Sequence, residues 1–145
     1  MFRSTCLLCC LLLVAAQVPS APAQTEFKKA LQAKYDFKTV SCYTCHTRKS
    51  DVPADQVAAF EENGKAFRNA FGTEFEKHLK GKEITKRLAD VKELESDDPK
   101  KQKVKEEATK EFLEALTIVE TAKSPSGPTY GELLKQATLD GVKPK

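Results

Sequence analysis

Residues 41–50 read SCYTCHTRKS, and within them Cys42, Cys45 and His46 make a C-x-x-C-H pattern. Two thiols three residues apart lie on one side of a helical turn. They suit a redox dithiol, half of a zinc site, or thioether attachment of a haem through the two vinyl groups on one edge of its ring. The third chemistry uses the whole pattern, because His46, directly after the second thiol, can bring an imidazole beneath the iron. A thioredoxin-like dithiol needs a strand leading into a helix, and no strand pattern precedes Cys42. For zinc, Cys42, Cys45, His46 and His78 supply the number of donors a tetrahedral site takes. Against zinc, Cys45 and His46 are neighbours that point in different directions, and the usual spacing of a histidine pair is missing. A plain disulfide between the two cysteines is the remaining alternative.

The elements that must position these residues begin after a leader. The chain has 145 residues with a formal net charge of +3. It opens with Arg3, an apolar run over residues 6–16 and a small-residue exit with Ala21 and Ala23 in an A-x-A pattern. That is the layout of a secretory signal peptide, residues 1–23, and the run is too short to span a bilayer. The alternatives are an uncleaved membrane anchor and a lipoprotein signal, although Cys9 and Cys10 sit inside the apolar run rather than after it. Cleavage after Ala23 removes Cys6, Cys9, Cys10, Met1 and Arg3, and leaves residues 24–145 as one domain of 122 residues. Only Cys42 and Cys45 then remain, in a chain sent to an oxidising compartment, so a multi-bridge disulfide framework is excluded. The remaining 23 basic and 21 acidic residues nearly balance. No basic block or stacking platform suggests nucleic acid.

Beyond the leader the periodicity predicts an all-α fold, and the haem reading of the C-x-x-C-H motif makes it a small helical domain packed around one covalently attached haem. No run of alternating β-branched residues predicts a sheet. TEFKKALQAKY predicts a short first helix. Asp51 and Pro53 open a second, on which Val57, Phe60, Gly64, Phe67 and Phe71 share one face until Gly72 interrupts. Thr73 and Glu76 read as the capping box of a short helix ending at Gly81. Ile84, Leu88 and Val91 mark the next. Pro99 can start a long helix whose face is Val104, Ala108, Phe112, Leu116 and Val119. Thr129 and Glu132 cap a brief last helix, and DGVKPK is expected to fray.

With CYTCH, the leader and this helical pattern together, the sequence resembles the monohaem c-type cytochromes. The resemblance implies one haem c, thioethers from Cys42 and Cys45, His46 as proximal iron ligand, and single-electron transfer in the periplasm or another exported setting. No catalytic triad, carboxylate pair or phosphate loop suggests an enzyme, an electron shuttle needs a redox partner protein, and no stable membrane span is expected after cleavage. A homo- or heterodimer through the face of the long helix is open. The common class I members use a distal methionine, and residues 24–145 contain none. Cytochromes c′ carry the motif near the C-terminus, whereas here it is near the start of the domain. No subfamily is therefore carried over.

The sixth position of the iron has three candidates. His78 falls with Phe71, Phe75 and Leu79 along one side of a helix. An open site covered by phenylalanine would make a five-coordinate haem that binds or senses small gases such as NO or CO. A lysine amine, Lys77 or Lys80, is the third. Arg48 and Lys49 are either partners for haem propionates or ordinary surface cations, and Tyr43 lies at the haem edge or in solvent.

Overall fold

The computed structural model describes residues 22–145, with side chains from residue 25 onward. The expected leader thus lies outside the described residues except for Pro22 and Ala23, which open the first helix. Helix α1 (Pro22–Tyr35) leads through Asp36, at a left-handed φ of 56°, into strand β1 (Phe37–Val40). The C-x-x-C-H segment follows as a 3-10 turn (Cys42–Thr44). After further 3-10 turns come α2 (Val57–Asn63), α3 (Ala70–Leu79), α4 (Ile84–Asp90), α5 (Pro99–Val119) and α6 (Tyr130–Lys135). Strand β2 (Val142–Pro144) closes the chain.

The fold is mostly helical, with one correction to the all-α expectation. β1 and β2 pair antiparallel, with Phe37 opposite Pro144 and Val40 opposite Val142. Segments of four and three residues are too short to show an alternating pattern, and their pairing spans more than 100 residues of sequence. The segment expected to fray is therefore anchored: Val142 is buried and Ser41 N donates to Gly141 O at 2.8 Å. A strand does precede Cys42, but it runs into a 3-10 turn, not the helix that a thioredoxin-like dithiol requires.

The core lies between α1, α3, α4 and α5, under β1 and α6. Leu31 from α1, Phe71 and Phe75 from α3, Leu88 from α4, and Phe112, Leu116 and Val119 from α5 are all buried in one cluster. Each such side chain contributes roughly 1.5–3 kcal/mol by leaving water. The long helix follows its expected face, with Asp98 as cap accepting from Lys100 N and Lys101 N ahead of Pro99. The box at Thr129 and Glu132 forms as expected. Among the described residues no helix is long and apolar enough to cross a membrane.

Two helix expectations change. The helix opened near Asp51 is interrupted: α2 ends at Asn63, a 3-10 turn spans Gly64–Ala66, and no residue of α2 is buried. Phe60 and Phe67 pack on each other at 5.3 Å rather than along one continuous face. The start expected at Thr73 lies four residues upstream, where Asn69 caps α3 by accepting from Gly72 N at 2.8 Å. Gly72, a break by its type, is an interior residue of α3.

Candidate functional site

The motif turn is built by hydrogen bonds from both sides. Ser41 Oγ accepts from Tyr43 N at 3.2 Å, and Cys42 O accepts from Cys45 N and His46 N at 3.2 and 3.0 Å. Asn69 then clamps the turn to α3: its Nδ2 donates to Tyr43 O at 2.8 Å and Thr44 O at 3.1 Å, and its backbone N donates to Cys45 O at 3.1 Å. The approach is so close that a Cβ at Gly72 would fall 1.9 Å from Cys45 O. Glycine is required there by the neighbouring backbone, and this is the physical reason the helix tolerates it.

Cys42, Cys45 and His46 all line one cavity of about 880 Å³. Phe27, Phe60, Phe75, Leu79, Ile84 and Phe112 provide much of its apolar wall. Binding sites for cofactors commonly span about 300–1,000 Å³ and are mainly apolar with a few convergent polar groups. The lining also includes the charged residues Lys28, Lys65, Arg68 and Lys80 along with Glu76 and Glu83. A haem, an apolar plate with an iron and two carboxylates, matches this set: two thiols and an imidazole from one segment, an apolar wall, and cations among the lining residues.

The thiols sit in different surroundings. Cys42 is exposed, with Lys28 Nζ 3.5 Å from its Sγ. Cys45 is half-buried at the residue level, but burial of its sulfur pushes the thiol up to about 12, only partly offset by Arg68. No disulfide joins the two. Burial of the His46 ring, then the nearby Arg68 charge, pushes its pKa down, while a hydrogen bond with the Phe67 backbone and the Glu76 carboxylate pull the other way. The neutral imidazole is the form that can ligate a metal.

Arg68 is the residue that sequence reasoning missed. Its Nη1 lies 2.5 Å from His46 Nε2 and 3.0 Å from Nδ1, and its Nε is 3.6 Å from Glu76 Oε2. A guanidinium only donates, so the ring nitrogen it meets must present a lone pair. The contact follows from a bridge between His46 and Arg68 and from Thr47 N donating to Phe67 O at 3.2 Å. No local spacing announces a pairing across 22 residues. The cations expected after the motif are engaged elsewhere: Arg48 pairs with Asp140 at 2.5 Å and lies over the Tyr43 ring, while Lys49 pairs with Glu61 at 2.6 Å.

His78 is in the last turn of α3 but is not among the residues lining the cavity. Its Nε2 lies 3.7 Å from Glu74 Oε1, and Lys77 holds Glu74 Oε2 at 2.6 Å. The zinc quartet does not assemble either: among the described residues no three His, Cys, Asp or Glu side chains group as a metal site. Of the donors considered for a sixth ligand, Lys80 lines the cavity, and His78 and Lys77 do not. The chain matches no protein-family model, no curated protein and no solved structure.

Proposed function

We propose that this chain is an exported monohaem c-type cytochrome that carries single electrons. The observation that carries the reading is the convergence of Cys42, Cys45 and His46 on the wall of one largely apolar cavity of about 880 Å³. Thioether bonds from Cys42 and Cys45 would fix the cofactor, and His46 would be the proximal ligand once Arg68 Nη1 leaves the ring nitrogen that it meets at 2.5 Å. When bound, the haem supplies a one-electron iron couple. The chain's own residues supply the rest. Asn69 and Gly72 hold the motif turn against α3, which fixes the backbone that carries the His46 imidazole. Phe75, Leu79, Ile84 and Phe112 supply apolar wall against which the ring would pack. Arg68 and Lys65 can pair with propionates by charge-assisted hydrogen bonds. Side-chain acid–base or nucleophilic catalysis has no part in this function.

A second reading, a five-coordinate haem protein that binds or senses NO or CO, is favoured by the position of His78 away from the cavity. The test of the first reading is a haem-stained denaturing gel of the protein exported by a host able to mature c-type cytochromes. Haem is expected to stay on the wild-type chain and to be lost from the Cys42→Ala, Cys45→Ala double variant. A wild-type chain that carries no haem overturns both readings. A prompt spectral shift of the reduced protein with CO favours the second.

A further inference from the structure

We infer that Lys80, in the turn between α3 and α4, is the sixth ligand of the iron. The assignment rests on the haem reading above. Methionine is absent from residues 24–145, and His78 is turned toward Glu74 off the cavity. The lining groups able to donate to iron are then Lys28, Lys65, Lys80, Tyr43, Glu76 and Glu83. Most of them belong to the walls already occupied by the anchor. Lys28 Nζ lies 3.5 Å from Cys42 Sγ, at the thioether edge. Tyr43 lies between the two cysteines with its ring under Arg48. Lys65 and Glu76 flank Arg68, which sits on His46: Arg68 Nη1 donates to Lys65 O at 3.3 Å, and its Nε approaches Glu76. Lys80 and Glu83 remain, both in the α3–α4 turn.

The turn is suited to bring a side chain over a bound plate. It reverses the chain through left-handed residues, Gly81 at φ 84° and Glu83 at φ 47°. A Cβ at Gly81 would meet nothing within 4 Å, so there is room for the turn to settle. Glu83 in turn is the residue from which α4 starts, so the turn is fixed at its far end by that helix. Between the two donors, Lys80 fits the apolar wall better: its four-carbon stem can lie along Phe75, Leu79 and Ile84 while the amine reaches past them, a reach the shorter Glu83 lacks. Lys80 makes no ion pair or side-chain hydrogen bond among the described residues, so no contact must be broken to recruit it. On binding, Nζ releases one proton to solvent and donates its lone pair to the iron.

The test uses the matured protein, with covalent haem first verified on a denaturing gel. Electron paramagnetic resonance and absorption spectra are then taken of the ferric wild type and of the Lys80→Ala, Lys80→Met, Glu83→Gln and His78→Ala variants. A low-spin wild type, a high-spin Lys80→Ala, and unchanged spectra for Glu83→Gln and His78→Ala are expected. Lys80→Met keeps an unbranched stem and offers a thioether, so its reduction potential is expected to rise, as methionine ligation does. A high-spin wild type overturns the assignment, and so does a Lys80→Ala spectrum identical to wild type. Loss of the low-spin signal in Glu83→Gln or His78→Ala transfers the role to that residue. Absence of covalent haem from the wild type removes the haem reading itself, an outcome distinct from each of these.

Discussion

Cys42 and Cys45 have the same side chain and opposite chemical prospects. A thiolate, not a thiol, is the nucleophile. With its thiol pushed up to about 12 by burial, Cys45 is almost wholly protonated at pH 8. Cys42 is exposed and has an ammonium group 3.5 Å from its sulfur. In the haem-free protein, alkylation by iodoacetamide at pH 8 is therefore expected to modify Cys42 at least about tenfold faster than Cys45, as read by peptide mass spectrometry. Equal rates would mean that the turn opens freely and that the burial of Cys45 is not maintained in solution. The pair's candidacy as a site is written in its spacing. The asymmetry is not, because it comes from the burial of one sulfur against the core, a tertiary effect that Arg68 only partly offsets.

The elements that hold the motif show where a sequence is readable and where it is not. α5 is legible because burial of Ala108, Phe112, Leu116 and Val119 repeats at the helical period within one segment. The Thr129–Glu132 box is legible because both partners lie within four residues. Gly72 misleads, since its type signals a break while its position demands a helix pressed against the motif. His78 misleads similarly: the helical wheel aligns it with Phe71 and Phe75, yet at the end of α3 its ring meets Glu74 and solvent. The role of Gly72 can be checked by substitution. Gly72→Ala would put a methyl 1.9 Å from a backbone oxygen that no side-chain rotation can relieve. A loss of about 1–3 kcal/mol in denaturant unfolding is expected, as for other overpacked sites. Gly64→Ala is expected to cost less, because its Cβ meets only the Phe60 ring, at 3.2 Å. A Gly72→Ala protein as stable as wild type would show that α3 stands further from the motif.

At the scale of the molecule, the motif is held from three directions. α1 and β1 deliver it, α3 presses on it, and the end of the chain returns to lock its entry. That return was the least legible feature, since the β1–β2 pairing joins residues 37–40 to 142–144 through segments with no pattern of their own. The contact is nonetheless close. Gly141 sits at a left-handed φ of 78°, where a Cβ would be 2.5 Å from Ser41 Oγ and 2.6 Å from Thr44 N. Val142 buries its side chain opposite Val40, and Lys145 pairs with Asp36 at the start of the strand. The surface ion pair contributes little, so the buried valine and the ladder carry the effect. Removing residues 142–145 is expected to cost about 1–3 kcal/mol, from the lost valine burial and the lost backbone hydrogen bonds. In a thermal melt of a domain this size, that is a drop of roughly 3–15 °C. Because β1 leads directly into Ser41 and Cys42, the shortened chain is also expected to give less covalently loaded protein when matured alongside wild type. An unchanged melting temperature and unchanged loading would assign the positioning of the motif to α1 and α3 alone. A drop in both would make the carboxyl-terminal strand part of the site's scaffold.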